Sequence, residues 1–151
     1  MKFKSKTRVK ALGEVFTPPE LVDEMLDKLP QDLWTDPNKS FLEPACGNGN
    51  FLAEILSRKL KNKKTSKLKA LQTIYGVDIM EDNVLESRQR LLDIVSEDDV
   101  LQKSWVKAVE LNIKCANTLT IPIEEIFWEQ NDFKEEPESM KLFYQTNIPI
   151  K

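Results

Sequence analysis

The sequence predicts an α/β domain built on a parallel sheet, and three observations predict it. Short apolar runs alternate with longer stretches of helical apolar spacing, in the order helix, strand, helix, strand, helix, helix, strand. The first two strands each end in an acidic residue, Glu43 and Asp78, where the chain turns towards a helix. The 151 residues, 40% of them hydrophobic, contain no internal repeat and no Gly/Ser linker, so they form one domain with material for a core. Strands separated by helices imply right-handed crossovers.

The elements follow from local signals. A first helix spans about Pro18 to Leu29, with Thr17 and Glu20 as a capping box, Pro18 at the first helical position and Pro30 as its stop. Its apolar face is Leu21, Val22, Met25, Leu26 and Leu29. A strand, Ser40 to Glu43, runs through Pro44 into the turn Ala45-Cys46-Gly47-Asn48-Gly49-Asn50 and a helix from Phe51 to Leu60. A Lys-rich loop then leads to a strand, Thr73 to Val77, that ends at Asp78. The next helix covers Glu81 to Val95, with Val84, Leu85, Leu91, Leu92 and Val95 on one side. Ser96 and Asp99 are candidate caps of a further helix carrying Val100, Leu101, Trp105 and Val109, and a third strand, Ile113 to Ala116, leads to Asn117. From Ile121 the chain is acidic and weakly patterned. The expected organisation is a basic tail over 1–12, a ligand-binding domain over 13–120 and an acidic segment over 121–151.

Composition excludes several function classes. With no His, there is no Ser-His-Asp triad and no His acid–base chemistry, and no metal centre is expected. Cys46 and Cys115 make no disulfide framework, which points to the cytoplasm. No apolar run approaches the ~20 residues of a membrane span, and MKFKSKTRVK lacks the apolar core of a secretory signal. The net charge of −3 conceals a balance of +5 over residues 1–75 and −8 over 76–151. Two basic runs carry the excess: Lys2 to Lys10, and Arg58, Lys59, Lys61, Lys63, Lys64, Lys67 and Lys69. Each is either a phosphate-binding patch or a solvated surface.

The run Phe41-Leu42-Glu43-Pro44-Ala45-Cys46-Gly47-Asn48-Gly49-Asn50-Phe51-Leu52 carries the chemistry. A strand feeding a glycine turn and then a helix is a nucleotide-binding arrangement, because small residues allow close approach to free backbone N–H groups. The third glycine of a dinucleotide fingerprint would fall at Leu52, and no Lys-Ser/Thr follows the turn, so NAD, FAD and P-loop readings fail. Glu43 suits a ligand with an ammonium group. Asp78 can accept from both hydroxyls of a ribose, and Ile79 offers an apolar face to adenine. S-adenosylmethionine (SAM) combines these features. The competing reading makes Glu43 and Asp78 strand-end caps, the glycines a tight turn and Phe16 packing against Leu21. Cys46 reads as a packing residue, and Trp34, Trp105 and Trp128 as core or interface.

These motifs together resemble the amino-terminal half of an adenine-N6-specific DNA methyltransferase, of the subgroup whose cofactor motifs precede the catalytic one. Gly13-Glu14-Val15-Phe16-Thr17-Pro18 is similar to the family's first motif, whose Phe and Thr line the methionine end of the cofactor. Glu43 to Phe51 resembles its E-P-A-C-G-x-G-x-F motif, and Tyr75-Gly76-Val77-Asp78-Ile79 its ribose motif. Cys115-Ala116-Asn117-Thr118-Leu119 resembles its third motif, with Asn117 where an Asp usually contacts the adenine amine. The resemblance implies a Rossmann-like SAM-dependent methyltransferase fold, truncated at about three parallel strands. It also implies SAM as cofactor and DNA as partner. The implied cofactor residues are Phe16, Thr17, Glu43, Pro44, Ala45, Gly47, Gly49, Asp78, Ile79 and Asn117.

The family's acceptor motif, N-P-P-Y or N-P-P-F, holds and stacks on a flipped adenine. It is missing from these 151 residues; the nearest run is Asn147-Ile148-Pro149-Ile150, which makes Asn147 and Pro149 the catalytic candidates. The expected function is therefore the cofactor-binding half of a DNA adenine-N6 methyltransferase in DNA modification or restriction–modification, with a possible second protein chain completing the fold. Two alternatives stand beside it: a catalytically inactive SAM-binding module or subunit that needs a partner chain, and a DNA-binding module using the Lys-rich loop.

Overall fold

Three short strands, β1 (Phe41–Glu43), β2 (Ile74–Asp78) and β3 (Ile113–Cys115), form a parallel sheet in the order β1-β2-β3 in the computed structural model. It describes residue 5 and residues 16–128. Phe41 pairs with Ile74 and Glu43 with Gly76, while Gly76 pairs with Ile113 and Asp78 with Cys115. All three strands therefore end on one edge of the sheet, which is where an open parallel sheet binds ligands. This is the Rossmann-like α/β arrangement the sequence predicts.

Seven helices among the described residues surround it: α1 (Pro19–Asp27), α2 (Asp32–Thr35), α3 (Asn50–Leu60), α4 (Lys67–Gln72), α5 (Glu81–Val95), α6 (Lys103–Asn112) and α7 (Ile123–Trp128). None is long and apolar enough to cross a membrane. The two-residue period of β2 divides the core in two. Ile74 and Gly76 face α3 to α6, in a cluster that includes Trp34, Phe41, Leu52, Leu56, Leu91 and Trp105. Tyr75 and Val77 face the other way and bury Ile126 and Phe127 of α7, with Tyr75 and Phe127 edge to face at 5.3 Å. Trp34 stacks on Phe41 at 4.9 Å, so it and Trp105 are core residues, as predicted.

Several local expectations are corrected. Helix α1 starts at Pro19, not Pro18, and no side chain caps it. A residue before proline is driven out of the helical region, and Pro18 accordingly sits at ψ 153°, extended, which dissolves the Thr17–Glu20 capping box. Of the predicted face only Val22 and Leu26 are buried, while Leu21, Met25 and Leu29 are exposed. Ser96 and Asp99 do not cap α6, which starts four residues beyond Asp99; Ser96 Oγ donates to the Leu92 carbonyl, and Val100 and Leu101 are exposed outside the helix.

The Lys-rich stretch is not all loop. Ser66 caps α4 by accepting from the Lys69 N–H at 3.1 Å, and Ala70 and Leu71 are buried. Three of its seven basic residues are engaged by other groups of the fold. Arg58 contacts Asp23, Asp27 and Glu54 at 2.8 to 3.3 Å, Lys59 is buried, and Lys67 pairs with Asp98 at 2.7 Å. Lys61, Lys63 and Lys64 are exposed and Lys69 is half-buried. The acidic segment after Ile121 contains α7, whose glutamates lie outward while Ile126 and Phe127 point to the sheet.

Candidate functional site

The glycine turn begins where β1 ends. Cys46 N–H donates to the Val77 carbonyl at 2.7 Å, extending the β1–β2 ladder by one bond, and Gly49 N–H closes the turn onto the Cys46 carbonyl at 3.0 Å. Gly47 and Gly49 both have positive φ, +54° and +91°. A Cβ at Gly47 would lie 3.1 Å from the Phe16 ring, and one at Gly49 would lie 2.9 Å from Ser87 Oγ. The packing of the protein itself thus disfavours a side chain at either position, more strongly at the second: Phe16, buried, covers the first, and α5 crosses against the second. Any ligand approach comes in addition to this.

Asp78, at the end of β2, organises the turn. Its Oδ1 accepts from the Gly47 N–H at 3.1 Å; Oδ2 accepts from the Met80 N–H at 3.1 Å and from Asn83 Nδ2 at 2.9 Å. Oδ2 has both lone pairs occupied, which leaves Oδ1 with capacity for one more donor. Glu43 is half-buried at the end of β1 and accepts from the Ala45 N–H at 3.2 Å. Burial raises its pKa above the ordinary carboxylate value, partly opposed by that hydrogen bond. Ile79 is half exposed beside Asp78. Asn117 uses its side-chain oxygen to accept from the Leu119 N–H at 3.0 Å, and the Thr118 hydroxyl donates to the Pro44 carbonyl at 3.3 Å, so the loops leaving β3 and β1 touch.

This donor set fits SAM in kind. Two carboxylates at adjacent strand ends suit an ammonium and a hydroxyl donor, and an exposed Ile beside the second suits a purine face. The fold places Phe16, Gly47 and Asp78 in one contact network, with Glu43, Pro44, Ala45, Ile79 and Asn117 on the same sheet edge. Phe16 and Thr17 line a cavity of about 440 Å³ with Asn48, Asn50, Glu86 and Arg90. A larger groove, about 500 Å³, lies near Trp34 and Arg58 and contains none of the predicted residues. Gly13, Glu14 and Val15 of the first motif, Asn147 and Pro149 lie outside the described residues.

Motif reading gave no role to four residues beside the turn: Asn50, Asn83, Ser87 and Arg90. Asn83 and Ser87 hold Asp78 and the Gly47 carbonyl, the latter at 3.0 Å. Cys46 is buried behind the turn, and its thiol is pushed up to about 12 by burial and by the Asp78 charge, so it is a packing residue and not a nucleophile. At pH 8 a maleimide is therefore expected to label exposed Cys115 in the native chain and to reach Cys46 only in denaturant, as intact-mass spectrometry would show. Native labelling of both thiols would contradict this placement.

The sequence pattern of the family described as N-6 DNA Methylase matches residues 1–131. The Type II methyltransferase M.VspI of Vibrio sp. (strain 343) is 33% identical over 98 residues, which is 64% of this chain and 21% of that protein. The chain thus matches about a fifth of the length of this curated relative. No solved structure matches it. With a family match that takes in the glycine turn, the Asp78 strand end and the loop after β3, the chain belongs to the N-6 DNA methylase family.

Proposed function

We propose that this chain is the cofactor-binding half of a SAM-dependent DNA adenine-N6 methyltransferase, acting in DNA modification or restriction–modification. The observation that carries this reading is the pair of carboxylates, Glu43 and Asp78, at adjacent strand ends on either side of a glycine turn that Asp78 itself holds. In this reading Glu43 holds the ammonium of SAM, Asp78 Oδ1 a ribose hydroxyl, and Ile79 one face of adenine. Phe16 and Thr17 line the methionine end, and Pro44, Ala45, Gly47 and Gly49 present backbone. Asn117 accepts from the adenine amine. Bound SAM supplies a methyl group on a sulfonium, and DNA supplies the acceptor.

A second reading makes the chain a SAM-binding subunit whose acceptor site comes from a partner chain. Two measurements test these readings. Calorimetry with SAM tests the shared premise. Asp78→Ala and Glu43→Gln are each expected to weaken binding roughly tenfold or more, the scale of a charged hydrogen bond. Because the Glu43 pKa is raised, wild-type affinity is expected to begin falling at a higher pH on acidification than for an ordinary glutamate, and Glu43→Gln to abolish that dependence. Affinity unchanged by both substitutions would reject the site. Tritium transfer from labelled SAM to unmethylated DNA then tests catalysis by the chain alone: transfer would reject the second reading, whereas binding without transfer is what a cofactor-binding half and a partner-dependent subunit both show.

A further inference from the structure

Three stretches of chain converge beside the glycine turn, and one side chain ties them together. Ser87 and Arg90 lie three residues apart on α5 and so reach the turn from one helix face. Ser87 Oγ donates to the Gly47 carbonyl, and Arg90 Nη1 donates to the Asn48 carbonyl at 3.0 Å and to Asn50 Oδ1 at 2.7 Å. Asn50 Nδ2 in turn donates to the Thr17 carbonyl at 2.7 Å. A guanidinium has donors and no acceptor, so it dictates the orientation of the Asn50 amide: the oxygen must face Arg90, which leaves the NH₂ for Thr17. The next residue back, Phe16, lies against Gly47. Helix α5 is anchored independently through Val84, Leu91 and Val95, all buried, whereas Arg90 is half-buried.

We propose that Arg90 is a positioning residue that sets cofactor affinity. It locks the glycine turn directly and the Phe16–Thr17 segment through Asn50, so that both walls of the site are held in one arrangement before ligand arrives. The affinity claim rests on the SAM-binding reading above; the clamp does not. Fixing two segments in advance removes an ordering cost from binding. A charged donor shared by two acceptors is also stronger than a neutral one.

The test uses the 151-residue chain and the variants Arg90→Met, Arg90→Lys, Asn50→Ala and the double variant Arg90→Met/Asn50→Ala. Methionine keeps an apolar stem and removes the donors, while lysine keeps the charge without the fork. In calorimetry with SAM, Arg90→Met is expected to raise Kd about tenfold and Arg90→Lys less, with the double variant no weaker than Arg90→Met within about twofold, since the two groups act as one unit. In the ligand-free chain, Arg90→Met is expected to speed hydrogen exchange at the Gly49 N–H, which closes the turn on Cys46, and to leave α6 unchanged. A wild-type Kd retained by Arg90→Met, or exchange accelerated equally throughout the fold, would overturn the proposal. If the wild-type chain binds no SAM, the functional reading falls together with the affinity claim. The exchange measurement still decides the clamp in that case.

Discussion

Replacing Gly49 by alanine is expected to destabilise the fold by about 2–4 kcal/mol, read as a shift of the urea midpoint. Two effects add. The residue sits at φ +91°, ψ 22°, outside the range L side chains adopt comfortably, at a cost of about 1–2 kcal/mol. Its new methyl would also lie 2.9 Å from Ser87 Oγ and 3.2 Å from Ser87 Cα. The Cα belongs to the backbone of a fifteen-residue helix, so relief requires moving α5 and not merely turning a side chain. Gly47→Ala provides the comparison. Its φ of +54° falls in the ordinary left-handed basin, and the obstructing atoms are the edge of the Phe16 ring, 3.1 to 3.2 Å away, which can slide. That variant is expected to lose about 1 kcal/mol. A Gly49→Ala variant no less stable than Gly47→Ala would show that α5 does not press on the turn as the structure has it.

The same turn shows what a sequence conveys and what it withholds. The residues from Glu43 to Phe51 are contiguous, so their strand–turn–helix grammar and their likeness to a family motif are visible in one line of text. Asp78 is legible because it ends its own strand. Arg90 and Ser87 are not, because each acts on the turn across about forty residues, and nothing local distinguishes them from other polar positions on an amphipathic helix. The missed helices had signals of a weaker kind. In α4, Ser66 stands at a capping distance from Lys69, and Leu68 and Leu71 share a helical spacing, but lysines on every side make the stretch resemble a solvated loop. In α7, Ile123, Ile126 and Phe127 follow the i, i+3, i+4 rule among glutamates that suggest an open tail. Tertiary burial against Tyr75 and Val77 decides the matter there, and that requires the sheet to exist. The first helix failed by one residue for a covalent reason: a second proline denied Pro18 the helical conformation.

Lys59→Met is expected to stabilise the chain by about 2 kcal/mol at pH 7, an unusual direction for a substitution that deletes a hydrogen bond. Lys59 lies on α3 with 1% of its surface exposed, its ammonium 5.2 Å from the Phe41 ring centre and donating to the Lys39 carbonyl at 2.8 Å. Burial brings its pKa down from 10.5 to about 8; Asp36 opposes the shift and Lys69 adds to it. At ~1.4 kcal/mol per unit, that gap represents about 3 kcal/mol spent holding the charge inside the fold at neutral pH. Methionine fills nearly the same volume and removes this penalty, while the Lys39 carbonyl loses its donor, which costs about 1 kcal/mol. The sign with pH follows from proton counts. Between about 8 and 10.5 the unfolded chain retains a proton on Lys59 that the folded chain has shed, so this residue makes stability rise with pH in that window and penalises it fully below. The difference in unfolding free energy between Lys59→Met and wild type should therefore be largest at pH 7 and shrink as pH approaches 10.5, because the wild-type chain gains what the variant already has. A variant less stable than wild type at pH 7, or a difference that does not change with pH, would mean that the ammonium is satisfied by its carbonyl and the Phe41 face and carries no burial penalty.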